Sequence, residues 1–174
     1  PKADVVLITH EHFDHLDGGA LAAVRKRGTQ VVMSRSCAGK CEGQVMTNGE
    51  TRVVAGIRIE AVPAYNIVHQ HSPGQPFHPK GAGNGYILTF GDKRVYVAGD
   101  TENTPEMKAL TGIDVAFLPM NPPYTMTPAT VADAAKAFRP AILYPYHYGE
   151  TDPRELTALM KDVPGVEVRI RKLR

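Results

Sequence analysis

Val5-Val6-Leu7-Ile8-Thr9-His10-Glu11-His12-Phe13-Asp14-His15 is the stretch on which the fold turns. Its apolar start reads as a buried strand, and the polar run begins where that strand would end. Three imidazoles and the Asp14 carboxylate then fall within residues 10–15. Imidazole nitrogen and carboxylate oxygen suit zinc and similar divalent ions. Alternate residues of an extended chain face the same way. His10 and His12 are therefore placed to hold one ion together, while Asp14 and His15 can turn toward a second. A solvated histidine tract is the competing reading, and it fits poorly at the end of a buried strand.

Two later elements repeat the design of an apolar strand closed by a ligand-type residue. Val95-Tyr96-Val97-Ala98-Gly99-Asp100-Thr101 ends in an aspartate, and Ala141-Ile142-Leu143-Tyr144-Pro145-Tyr146-His147-Tyr148 ends in a histidine. Alone, each is an ordinary turn or rim residue. In this order after H-x-H-x-D-H, they resemble the metallo-β-lactamase superfamily.

That resemblance implies an α/β fold, the αββα sandwich, and a dinuclear centre. His10 and His12 would hold the first metal, Asp14, His15 and His147 the second, and Asp100 would bridge them. The cofactors implied are two divalent ions, zinc first, with manganese or iron also compatible. The reaction implied is hydrolysis of an ester, lactone or phosphodiester bond by a metal-bound hydroxide. Asp14 and Tyr148 are the candidate catalytic residues. Tyr148, next to His147, and Tyr124 each offer a phenol that can donate to an oxyanion or pack in a pocket wall.

One ligand departs from the family pattern. Relatives supply a third histidine to the first metal in a Pro-Ala-x-His type sequence, whereas this chain reads Val62-Pro63-Ala64-Tyr65-Asn66. Histidine returns at His69, His71 and His78. His78 is the first choice as replacement ligand or substrate-facing group. His69 and His71 sit in a Pro/Gly-rich loop where solvent exposure is expected, and Asn66 is a weak ligand, a partner of a metal water, or a structural cap. The pairing of Pro-Ala-Tyr-Asn with His-Pro-Lys-Gly resembles a branch of uncharacterised metal-dependent hydrolases. That branch is distantly similar to ascorbate-6-phosphate lactonases and to the phospholipase D type acting on N-acyl phosphatidylethanolamine. Lys80 is a candidate contact for an anionic group of a small-molecule substrate, with a solvated lysine as the alternative.

Several relatives are disfavoured by residues. Flavin-dependent diiron members carry glutamate where His12 stands, and β-lactamases proper have a zinc-binding cysteine where Asp100 lies. A non-catalytic metal-binding or ligand-sensing protein on the same fold is the alternative of a different class.

The 174 residues suffice for one domain, spanning 1–174, with a real core. A formal charge of +2 gives no reason to expect nucleic acid, and no apolar run reaches the roughly 18 residues a membrane span needs. Two cysteines, Cys37 and Cys41, are too few for a disulfide framework and read as loop thiols, favouring a reducing, cytoplasmic setting. The metal motif comes early, so the superfamily's N-terminal strands are expected to be missing from this chain. Nothing in the sequence speaks to oligomeric state.

Strands are expected at 4–8, 30–33, 51–54, 57–62, 86–90, 94–98, 114–118, 141–144 and 166–170. Hairpin turns are expected at Ala55-Gly56 and Gly91-Asp92. Helices are expected over 19–27, after the cap Thr127-Pro128 as far as Pro140, and after Asp152-Pro153, where Glu155 would complete a capping box.

Overall fold

The computed structural model describes residues 1–173. Strands β1 (Val5–Ile8), β2 (Gln30–Ser34) and β3 (Gln44–Met46) form a parallel sheet in that order. Helix α1 (Gly18–Val24) makes the crossover from β1 to β2. Next come β4 (Thr51–Val54), β5 (Ile57–Ala64), and a small hairpin of β6 (Gln70–Ser72) and β7 (Gln75–Pro76). They are followed by β8 (Gly83–Phe90), β9 (Lys93–Val97) and the short helix α2 (Pro105–Lys108). The chain then runs through β10 (Val115–Pro119), α3 (Pro128–Phe138), β11 (Ile142–Tyr146), α4 (Pro153–Met160) and β12 (Glu167–Val168).

The larger sheet has the order β12-β11-β10-β9-β8-β5-β4. It is antiparallel from β4 to β9 and parallel from β9 to β12. Its two faces explain the sequence of β8, which is buried from Gly83 to Leu88. Tyr86 and Leu88 pack with Ile59 and Ala61 against Val32 and Met46 of the smaller sheet. Ile87 and Tyr96 pack instead with Val131, Ala135 and Phe138 of α3 and with Leu156 of α4. On the outer side of the smaller sheet, Val31 and Met33 meet Leu21 of α1. The layers are thus α, β, β, α. Each fully buried aliphatic side chain contributes about 1.5–3 kcal/mol, so the seam between the sheets is where a charge would unfold the chain.

The two sheets are also stitched by polar groups at the end of β1. Tyr86 Oη donates to the Ile8 carbonyl at 2.9 Å, and the Asn84 amide donates to the Thr9 carbonyl at 2.8 Å. Asn84 Nδ2 reaches the Met46 carbonyl at 2.9 Å. These bonds fix the start of the histidine run against β8.

Turn chemistry behaves as the sequence indicates. Ala55 and Gly56 have φ of 48° and 80°, the two positive values a two-residue type I′ hairpin needs, while Gly91 has φ 60° in the β8–β9 turn. Thr127 caps α3 through the Thr130 amide, and Thr130 returns the bond to complete a capping box. The box expected at Glu155 does not form: Asp152 caps α4 through the Arg154 amide and binds the Arg154 guanidinium. Helix α1 ends at Val24, ahead of the basic cluster, because Arg25 is extended. The last strand is shorter than expected, two residues at the sheet edge. Strands β3, β6 and β7 and helix α2 had no periodic signal. Cys37 ends a short 3-10 turn and is fully buried against the smaller sheet, and both cysteines are free. Among the described residues, no helix is long and apolar enough to cross a membrane.

Candidate metal centre

The histidine run leaves β1 at its C-terminal end, and Gly83-Asn84, Gly99-Asp100 and His147 arrive from β8, β9 and β11 at the same place. Each of the seven sequence-predicted metal residues is brought there. The ligand-type atoms of His10, His12 and His78 lie within 4.8 Å of one another, as do those of His10, His15 and Asp100, and those of Asp14, His15 and His147.

Asp100 is the hub. Its Oδ2 is 3.4 Å from His78 Nε2, 3.4 Å from His147 Nε2 and 4.0 Å from His10 Nε2, and its Oδ1 is 3.4 Å from His15 Nε2. Asp14 Oδ2 stands 3.5 Å from His15 Nε2 and 3.4 Å from His147 Nε2. His10 Nε2 and His12 Nδ1 approach to 3.1 Å. Thr9, whose role had no sequence signal, places its hydroxyl 3.0 Å from His10 Nδ1 and 3.5 Å from His15 Nδ1, steadying both rings.

The electrostatics follow from crowding. Burial, then the neighbouring His15, push the His10 imidazole down to about 2, although Asp100 opposes them. Burial, then His78, also lower His12. Burial acts to raise the Asp100 carboxyl, but the imidazoles of His147, His15 and His78 crowded around it outweigh that and hold Asp100 far below the usual carboxylate range. The Asp100 carboxylate 3.4 Å away raises His147. His10 and His12 are thereby favoured as neutral imidazoles beside an ionised Asp100, the state in which these groups bind metal.

A direct test of fit comes from atoms left without partners. His15 Nε2, His78 Nε2 and Asp100 Oδ1 are buried and accept or donate no hydrogen bond. Buried polar atoms are normally paired. All three face the shared centre, so the donor set fits divalent metal ions. His78, from the segment ahead of β8, joins His10 and His12 in this cluster.

Asn66, which stands where that histidine was expected, faces away from the ligand cluster and grips His78. Its Oδ1 accepts from the His78 amide at 2.8 Å and from His78 Nδ1 at 2.7 Å. His69 is half exposed but bound, its Nδ1 2.6 Å from Glu102 Oε1. His71 is exposed and packs its ring on Phe77.

Tyr148 is not brought to the site. His147 has φ 46°, a left-handed conformation that sends it and its neighbour to different sides. Tyr148 is buried in the helix-facing core and donates its hydroxyl to the Arg171 carbonyl at 2.8 Å. Lys80 does not line the site either, because it pairs with Glu106 at 2.7 Å and lies over the Tyr65 ring.

A cleft of about 700 Å³ opens over the centre, lined by His12, Asp14, Asp100 and His147 at its floor. Its walls include Phe13, Phe77, Tyr124, His71, Gln75 and Asn121. Phe77 and Tyr124 meet edge to face at 5.0 Å. The segment after β10 thus reaches the rim through Asn121 and Tyr124.

This fold with this ligand arrangement defines a class. The family model described as the β-lactamase superfamily domain matches residues 1–147. The chain belongs to the metallo-β-lactamase superfamily, among its UPF0173 metal-dependent hydrolases. A UPF0173 metal-dependent hydrolase of Methanopyrus kandleri is 32% identical over 181 residues, covering 96% of this chain and 77% of that protein. A solved structure from Parabacteroides distasonis, described as a candidate metal-dependent hydrolase, is 52% identical with a TM-score of 0.93, covering 100% of this chain and 78% of the other. A metallo hydrolase of Ignicoccus hospitalis is 29% identical with a TM-score of 0.76, covering 99% and 77%. The protein is a metal-dependent hydrolase of this superfamily.

Proposed function

We propose that the chain holds two divalent metal ions, zinc first among them, and opens an ester, lactone or phosphodiester bond in a small molecule. The observation that carries this reading is the meeting of two ligand groups at one carboxylate: His10, His12 and His78 on one side, Asp14, His15 and His147 on the other, with Asp100 between. Bound there, divalent ions supply Lewis acidity at the oxygen under attack and a water acidic enough to be nucleophilic near neutral pH. Asp100 keeps its charge among the surrounding imidazoles and holds the two halves in register. Asp14, more exposed than Asp100, faces the cleft, where its carboxylate would be placed to take a proton from a water held there. Phe77 and Tyr124 cover the apolar part of the substrate, and Asn121 offers a neutral hydrogen-bonding group at the rim.

Metal analysis of the purified protein, followed by chelation and a panel of esters, lactones and phosphodiesters, tests this reading. Two metal equivalents per chain are expected, with hydrolysis of at least one class lost on chelation and restored by zinc. A protein that binds its ions and hydrolyses nothing in the panel would overturn it.

A further inference from the structure

Glu102 is a buried carboxylate that the hydrolytic chemistry does not use. It is 5% exposed, and donors surround both of its oxygens. Oε2 accepts from the Ile67 and Val68 amides, each at 2.8 Å. Oε1 accepts from the His69 amide at 2.9 Å, from His69 Nδ1 at 2.6 Å and from Asn66 Nδ2 at 3.2 Å. Burial acts to raise this carboxyl, but the amide hydrogen bonds win and hold it below the usual range. A charge so deeply placed is tolerated because every lone pair finds a donor. Its effect is to wrap residues 66–69 around one point.

The next link is Asn66, and here the orientation is fixed by elementary hydrogen-bond logic. The Tyr124 carbonyl can only accept, and it lies 2.9 Å from Asn66 Nδ2. The His78 backbone amide can only donate, and it lies 2.8 Å from Asn66 Oδ1. The side-chain amide therefore cannot be turned the other way round. Oδ1 also meets His78 Nδ1 at 2.7 Å, and an amide oxygen is solely an acceptor, so Nδ1 carries the proton. That leaves Nε2 with a bare lone pair, buried, unpartnered and 3.4 Å from Asp100.

We infer that Glu102 and Asn66 form a positioning relay, carboxylate to amide to imidazole, which presets His78 in the tautomer and orientation a metal ligand requires. The inference rests on the reading of His10, His12 and His78 as one ligand group. It gives the asparagine at the expected histidine position a role: the ligand has moved to a different segment, and the vacated position holds the new ligand in place. Neither residue touches the reacting atoms; both act through His78. Histidine ligands generally have their second nitrogen tied in this way, and loss of the tie lowers metal affinity by about 10–100-fold.

A double-mutant cycle on metal affinity tests it, with zinc affinity measured by chelator competition on the full chain. Asn66→Ala and Glu102→Gln are each made alone and on a His78→Ala background, with circular dichroism reporting folding. His78→Ala alone is expected to weaken one of the two metal equivalents. Asn66→Ala is expected to weaken that same equivalent by about 10–100-fold, with Glu102→Gln weakening it in the same direction, and neither adding to the loss once His78 is gone. In the metal-free wild type, nitrogen NMR is expected to show His78 as the Nδ1–H tautomer, with the Nε2–H form appearing in Asn66→Ala. Full affinity in both relay variants, or an equal loss with and without His78, overturns the relay while leaving the ligand assignment intact. An unchanged affinity in His78→Ala itself overturns the ligand assignment and the relay together. If Asn66→Ala does not fold, Glu102→Gln and the wild-type tautomer decide the matter by the same criteria.

Discussion

Gly99 packs so closely on Asn84 that a Cβ built on it would stand 2.8 Å from the Asn84 carbonyl oxygen and 3.0 Å from Thr9 Cβ. Its φ is +67°, in the left-handed region that disfavours other residues. The Gly-Asp pair is therefore a steric device: the absent side chain lets β9 end against β1 and β8, and the turn delivers Asp100 to the centre.

Gly99→Ala is accordingly expected to cost about 1–3 kcal/mol, from backbone strain and the clash with a main-chain atom. Because the strained peptide carries Asp100, bound metal should fall in the same variant. Thermal unfolding combined with metal analysis checks both effects. A variant with wild-type melting and a full metal complement would show that the close approach has no structural consequence.

Metal removal should destabilise the fold as well as stop hydrolysis. Without ions, the unpartnered His15 Nε2, His78 Nε2 and Asp100 Oδ1 stay buried with nothing to bind. A ligand present at about 100 times its dissociation constant stabilises by roughly 2.7 kcal/mol, and two sites add their contributions. Chelated protein is therefore expected to melt several degrees lower and to recover when zinc is added. Coincident melting curves with and without chelator would contradict the assignment of this cluster as a metal centre.

How much of this was legible in the sequence depended on whether a signal was local. His10, His12, Asp14 and His15 crowd the end of one apolar strand, so spacing points to them directly, while Asp100 and His147, each just beyond another apolar strand, gained their roles from the family resemblance. The layer order came from the resemblance and not from alternation, because runs such as β8 are buried on both faces and carry no period that assigns a layer. His78 was reachable only as a histidine lying ahead of β8, since the excursion from Tyr65 to Ala82 folds back through the small β6–β7 hairpin, which has no hydrophobic period. Glu102 was silent because its partners are amides from residues more than 30 positions earlier, and no side-chain pattern encodes them. Tyr148 misled for the opposite reason. Adjacency to His147 suggested a shared site, but the positive φ at His147 separates the two side chains.

Tyr148→Phe distinguishes those two placements. Loss of the hydroxyl removes the 2.8 Å bond to the Arg171 carbonyl, and a typical intramolecular hydrogen bond is worth about 0.5–1.5 kcal/mol. The variant should unfold at lower denaturant concentration while keeping wild-type turnover per metal-loaded molecule. A fall in kcat of tenfold or more with unchanged stability would instead put the phenol in the reaction.

The aromatic wall gives the last expectation. Phe77 is partly buried, packed between the His71 and Tyr124 rings, and lines the cleft beside His78, while Tyr124 remains 48% exposed. An exposed ring over a metal floor gains most by covering apolar substrate surface, at roughly 25 cal/mol per Å². Phe77→Ala or Tyr124→Ala should therefore raise KM for substrates with an aromatic or long acyl group while leaving KM for a small acetyl ester nearly unchanged. A loss of about 1.4 kcal/mol in binding corresponds to a tenfold change in KM when KM reports binding. Metal content should stay at the wild-type level, because neither ring belongs to the ligand set. Equal losses for large and small substrates would mean that the rings support the fold of the cleft instead of contacting the substrate, and a shift in kcat alone would place them closer to the reacting atoms than the cleft geometry does.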